Sequence, residues 1–125
     1  MGDVGSREAV RNQFGLTKKE RIFHPREFKG VMKSGKRRFS RNLLLFIQKN
    51  DREIHRLGIV VKKEAGTAVF RNRIKRYVRE FFRLHKQEIK GSFDMILLVK
   101  KGCSIQKYKD AEGELEGLLI SEKEK

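Results

Sequence analysis

The stretch GIVVKKEAGTAVFRNRIKRYVRE, residues 58–80, passes from a β-branched run through a turn into a helical pattern, and its two halves decide how the chain is built. Ile59, Val60 and Val61 favour a strand, expected over Leu57–Lys62. Gly66 and Thr67 interrupt it, and Thr67 suits the cap of a helix running from Ala68 to Ile89, with Gly91 as its stop. At about 100° per residue, Phe70, Ile74, Tyr77, Val78, Phe81 and Leu84 fall within an arc of about 120°. Arg71, Lys75, Arg76, Arg79, Arg83 and Lys86 fall within an opposite arc of about 140°, with Asn72 in its middle. One face belongs to a core and the other is basic. A merely solvated face would intersperse Glu at i,i+4 to relieve repulsion, and only Glu80 is at hand. Phosphate binding accounts better for cations packed this way. A major-groove DNA reader, a membrane-surface helix and a calmodulin target also use basic amphipathic helices. The last two need an exposed apolar face, which strands on both sides claim here.

Upstream, Asn42–Lys49 carries the continuous apolar run Leu43–Ile47 and reads as a buried strand, with Leu44 and Phe46 on one face and Leu43, Leu45 and Ile47 on the other. The polar segment Asn50–His55 reads as a hairpin connection, which would pair this strand antiparallel with Leu57–Lys62. Further back, Pro25 suits a first helical position; Phe28, Val31 and Met32 recur at helical spacing, and Gly35 suits a left-handed helix end, giving a helix over Pro25–Ser34. Thr17 to Glu20 reads as a capping box. Residues 1–15 lack periodicity and read as a disordered or appended extension. Downstream, Phe93–Lys100 is a third strand, and Ile105, Tyr108, Leu115, Leu118 and Leu119 stripe a last helix despite Gly113 and Gly117. Residues 121–125 read as a flexible tail. The expected fold is α+β, helix-strand-strand-helix-strand-helix, with helices packed on a small sheet in a single domain over residues 16–120.

The 125 residues carry a formal charge of +15, a surface that concentrates polyanions. The charge is localised: Lys18–Arg41 is net +8 and Lys62–Lys86 net +7, which together equal the whole excess. Cys103 is the sole cysteine, so no intrachain disulfide or multi-cysteine zinc site is possible, and a reducing cytoplasm is the expected compartment. The apolar runs Leu43–Ile47 and Met95–Val99 are far too short to cross a bilayer, so a soluble protein without a membrane partner is expected. Phosphodiester hydrolysis by the protein itself would need clustered carboxylates for metals or a His pair. His24, His55 and His85 are scattered and lie beside no Cys, Asp or Glu at metal-ligand spacing, so neither a catalytic nor a metal site is assigned.

Gly58 to Lys63, then Gly66, Ala68, Val69, Arg71, Asn72, Arg73, Lys75, Arg76, Arg79 and Glu80 resemble the signature of the bacterial ribonuclease P protein family, including its Arg-Asn-Arg helix motif. The resemblance spans about residues 16–119, with matching order of elements. It implies an α+β sandwich with a left-handed βαβ crossover, and a protein that assists a catalytic RNA in removing the 5′ leader of precursor tRNA. By the same resemblance Arg71, Asn72, Arg73, Lys75, Arg76 and Arg79 face the catalytic RNA, with Lys62 and Lys63 nearby. Phe28, Met32, Leu44 and Phe46 match the lining of a cleft for the single-stranded leader, where aromatic faces stack on unpaired bases. Met32 stands where the family pattern has an aromatic, and Thr67 where it has Asn or Lys. Mg²⁺ would belong to the RNA, with no small-molecule substrate, and endonuclease activity would exist only in the holoenzyme. Ordinary core packing competes for the apolar residues, above all Leu44. A structural RNA-binding protein of the ribosomal type shares the charge, size and basic helix, and differs in ignoring the leader; a protein-only nuclease is the third reading.

Overall fold

The computed structural model describes residues 18–22 and 24–120. The extension expected over residues 1–15, the tail over 121–125 and the capping Thr17 lie outside the described residues. The elements are α1 (Pro25–Ser34), β1 (Lys36–Phe39), β2 (Leu43–Lys49), β3 (Arg56–Val61), α2 (Ala68–His85), β4 (Phe93–Val99) and α3 (Tyr108–Leu119), with 3₁₀ turns at Lys18–Glu20, Lys63–Ala65 and Lys86–Glu88. The strands form one sheet in the order β1-β2-β4-β3. Helices α2 and α3 cover one face and α1 covers part of the other, so the α+β sandwich is observed.

The side-chain alternation of β2 sets these layers. Leu43, Leu45 and Ile47 join Leu57, Met95, Leu97 and Val99 under Ile74, Val78, Phe81 and Phe82 of α2 and Leu115 and Leu118 of α3. Phe46 joins Ile96 on the other face, beneath Val31 of α1. Burial on both faces is what made β2 and β4 read as unbroken apolar runs.

That double burial overturns the expected β2–β3 hairpin. Strand β4 lies between them, antiparallel to β2 and parallel to β3. Two strands apolar on both faces are best shielded at the centre of a sheet, which leaves β1 and β3 at the edges. The segment Asn50–His55 is a bridge across the start of β4. Asn50 N–H donates to Ser92 O at 3.0 Å, and its side-chain amide donates to Asp94 Oδ1 at 2.7 Å. His55 is fixed at the bridge's far end: Nδ1 accepts from Phe93 N–H at 3.1 Å, so Nε2 carries the proton and donates to Ile89 O at 2.9 Å.

Between the parallel neighbours β3 and β4 the chain crosses over through α2. Seen from α2, the Leu57 side chain faces the viewer, while its carbonyl points away from β4 and accepts from Ile22 N–H at 3.4 Å. On an ascending strand of L-residues that carbonyl points right, which puts β4 to the left of β3. The crossover is therefore left-handed, against the strong right-handed preference of such units.

Three smaller expectations also change. Gly35 is extended, with φ −75° and ψ 160°, and not left-handed. Its need for glycine is close approach: a Cβ there would sit 2.6 Å from Val31 O and 2.9 Å from Ile47 O. The basic run after it, to which the expected order of elements gives no place, is edge strand β1, pairing Lys36 with Ile47 and Phe39 with Leu44. Charged side chains are how a sheet edge resists further pairing, so charge hid the strand from a hydrophobic pattern. Finally, α2 ends at His85 and passes into the 3₁₀ turn Lys86–Glu88, ahead of Gly91. There the Lys86 ammonium meets the Glu20 carboxylate, tying the turn Lys18–Glu20 to the end of α2.

Candidate RNA interface

Helix α2 begins where Thr67 Oγ1 accepts from Phe70 N–H at 3.1 Å. Four residues on, Ile74 is fully buried, and Val78, Phe81 and Phe82 continue that stripe into the core. The stripe turns Asn72 and Arg76 fully outward and leaves Arg71, Arg73, Lys75 and Arg79 half-buried. Arg71 Nε donates to Gly66 O at 3.2 Å, folding the guanidinium back over the loop before the helix. Arg83 is engaged by Glu80 at 2.8 Å and Lys86 by Glu20, so the basic arc inferred from helical geometry is neutralised at its C-terminal end. Among the described residues Arg73, Lys75 and Arg76 meet no carboxylate. Their cations gather toward the helix N-terminus, whose first turn holds no acidic residue and whose dipole is itself positive. Lys62 and Lys63 are exposed on the loop just before it.

The second surface is the sheet face that α1 only partly covers. Strand register arranges that face in rows. Arg37, Phe46, Ile96 and Gly58 form one row, and α1 lies over it: Phe46 is 6% exposed and Ile96 fully buried. The Phe28 ring rests on Gly58, where a Cβ would come within 2.7 Å of Phe28 Cζ. Only glycine leaves room for the tip of the ring against the sheet. The next row toward the C-terminal ends of β3 and β4 is Phe39, Leu44, Leu98 and Val60, and every member keeps accessible surface. Strand spacing makes this row roughly 14 Å long. Met32, a turn beyond Phe28 on α1, is 37% exposed. Of the cleft residues inferred from sequence, Phe28, Leu44 and Met32 are thus accessible, while Phe46 lies beneath α1 as part of the floor.

An ion cluster centred on buried Arg56 holds α1 over this face. Arg56 donates from Nε and Nη2 to both Asp94 oxygens, at 2.9 and 2.8 Å, and from Nη1 to Glu27 Oε2 of α1 at 3.2 Å. Burial pushes the Asp94 carboxyl up, but hydrogen bonds from Arg56 and Asn50 outweigh it and hold the group below the ordinary carboxylate range. The same pairing raises Arg56 further.

The fold that carries this basic helix and accessible apolar row recurs in proteins of known identity. The family model described as Ribonuclease P matches residues 16–122. The chain belongs to the ribonuclease P protein family. It is 43% identical over 107 residues to the ribonuclease P protein component of Syntrophus aciditrophicus, covering 86% of this chain and 90% of that one. Against the ribonuclease P protein from Thermotoga maritima the TM-score is 0.73 at 35% identity, over 80% of this chain and 94% of the other. The Staphylococcus aureus protein gives 0.73 at 31% identity, over 78% and 90%.

Placed in this family, the chain also shows what its sequence concealed. Phe39, Leu98 and Val60 belong to the open row, yet none was among the cleft candidates. Val60 and Leu98 were legible only as generic strand residues, because which of their neighbours α1 covers is a tertiary fact. Phe39 was legible as an aromatic ending a basic run, and alternation within β1 would have placed it opposite Leu44. Among the described residues no group of three His, Cys, Asp or Glu side chains is placed to hold a metal ion, and no helix is long and apolar enough to cross a membrane.

Proposed function

We propose that this chain, as the protein subunit of ribonuclease P, binds the catalytic RNA through the N-terminal half of α2 and the single-stranded 5′ leader of precursor tRNA through the trough beside α1. The observation that carries this reading is the continuity of the two surfaces. Strand β3 ends at Val61, one residue past Val60 of the open row, Lys62 and Lys63 follow at once, and the next turn delivers the chain to the N-terminus of α2. A strand of RNA leaving the trough therefore meets lysines before it reaches the basic helix. Arg71, Asn72, Arg73, Lys75, Arg76 and Arg79 contact the catalytic RNA, and Phe28, Met32 and Leu44 the leader, with Phe46 supporting them from below.

The division of labour follows from the chemistry. Arg guanidinium forks and Lys ammoniums neutralise phosphates without reading sequence, which suits a folded RNA partner of fixed shape. Apolar and aromatic faces stack on unpaired bases irrespective of identity, which suits leaders of varied sequence. Hydrolysis is assigned to the RNA and its Mg²⁺, as the family resemblance implies, with the protein acting on binding. The protein raises the local concentration of precursor and screens phosphate repulsion between the two RNAs. A cytoplasmic site of action accords with the single free thiol and a tRNA precursor as substrate.

Phe28→Ala tests the leader half of this reading. It is expected to weaken precursor binding to the holoenzyme by about 1 to 3 kcal/mol, as for loss of one base–aromatic stack, while affinity for mature tRNA and for the catalytic RNA stays nearly unchanged. Equal losses for all three RNAs, or loss of folding, would make Phe28 a packing residue. Binding of precursor and mature tRNA with no distinction even by the unaltered protein would favour a structural RNA-binding role of the ribosomal type.

A further inference from the structure

We propose that Phe39, on edge strand β1, forms an additional base-stacking position that lengthens the leader trough across the full width of the sheet. This inference rests on the leader reading of the trough and extends it to a residue outside the α1 cleft. A lone exposed aromatic needs no explanation, but Phe39 is not alone. It is 70% exposed and directly opposite Leu44, so it continues the Leu44, Leu98 and Val60 row to the sheet edge. Its register puts it on the face that carries α1, while the covered part of that face lies a row away.

The ring is also held for stacking. Lys100 Nζ donates to Ser40 O at 2.7 Å, which anchors the ammonium beside β1 and leaves it 5.5 Å from the Phe39 ring centroid. A cation on an aromatic face fixes the ring and supplies positive charge where the phosphate of a stacked nucleotide would run. Arg41, exposed in the turn after β1, adds a second cation at the same end. An aromatic platform flanked by cations is the recognition chemistry of unpaired RNA; an apolar protein partner would gain nothing from the two charges. Phe39 then stacks a leader nucleotide farther from the cleavage site than the one on Phe28, and longer leaders gain from it.

The test uses the reconstituted holoenzyme and precursor tRNAs whose leaders lengthen one nucleotide at a time. For Phe39→Ala, affinity is expected to match the unaltered protein for the shortest leaders and to fall on the order of ten-fold once the leader is long enough to reach β1, with rescue by Phe39→Tyr. The chain has no tryptophan, so Phe39→Trp supplies a direct readout: its fluorescence should quench with a single-stranded leader and recover when a complementary strand pairs the leader. Phe28→Ala is run alongside. Loss with Phe28→Ala but no length-dependent loss with Phe39→Ala would overturn the extension and leave the leader reading intact; no loss with either would remove both. A Phe39→Ala effect equal at every leader length, or one confined to self-association of the protein, would likewise overturn it.

Discussion

Replacing Arg73, Lys75 and Arg76 together with Ala is expected to weaken binding of the ribonuclease P RNA on the order of a thousand-fold at moderate salt, with little change in thermal stability. Each side chain is taken to neutralise one phosphate through charge-assisted hydrogen bonds worth about 1.5 to 3 kcal/mol, and the lower figure is appropriate because the side chains are partly solvated. The salt dependence gives the sharper signature. Each lost phosphate contact removes roughly 0.7 to 0.9 from the slope of log affinity against log salt, so the triple variant should bind with a slope shallower by about 2 to 3. Filter binding across a salt series measures it. The fold should survive, since these cations repel one another and meet no carboxylate among the described residues. An affinity loss with an unchanged slope would mean that the arginines shape the helix without touching phosphate.

Arg56→Ala should produce the largest loss of stability expected from a polar substitution. Its guanidinium, with the side chain 9% exposed, bridges Asp94 of β4 and Glu27 of α1, and removing it leaves the largely buried Asp94 carboxylate without its main partner. Breaking such a pair costs about 3 to 5 kcal/mol, and the lower end applies because Glu27 remains 33% exposed and can turn to water. Urea titration should show the midpoint falling with the slope unchanged. The double variant Arg56→Met with Asp94→Leu should recover much of the loss, because replacing both charges with apolar groups removes the desolvation penalty as well. Acid probes the same cluster. Asp94 in the folded chain titrates below its ordinary value of 3.8, so its contribution to stability is fully present above that value and is lost as pH falls through the depressed one. The unaltered protein should lose this increment only in strong acid, and Arg56→Ala should flatten that part of the profile. Because the cluster fastens α1 over the sheet, Arg56→Ala should also loosen the seat of Phe28 and lower precursor affinity.

What the sequence shows and what it hides follow from where information is stored along a chain. Helix α2 was legible because a single element carries its whole argument: cap, apolar stripe and basic stripe recur at one period from Thr67 onward. The faces of β2 were legible for the same reason. Pairing was not, because Asn50–His55 has the composition of a hairpin turn while its hydrogen bonds to Ser92, Phe93 and Asp94 make it a bridge over a strand that comes 40 residues later. Strand β1 was hidden by its charge. The basic half of the site, local to one helix and its loop, could therefore be named residue by residue, whereas the trough is assembled from β1, β2, β3 and β4. Phe28 and Leu44 came from the family resemblance, and Phe39, Leu98 and Val60 required the register. Arg83 and Lys86 show the opposite error: helical geometry put them in the basic arc, and only the fold reveals Glu80 and Glu20 engaging them.

The most direct measurement is cleavage of a precursor tRNA by a bacterial ribonuclease P RNA at limiting Mg²⁺, with and without this protein, beside a reaction containing the protein alone. Strong stimulation that requires the RNA, with no cleavage by the protein alone, is the predicted result. Cleavage by the protein alone, or the absence of stimulation despite tight binding to the catalytic RNA, would contradict a subunit that brings the leader to an RNA active site.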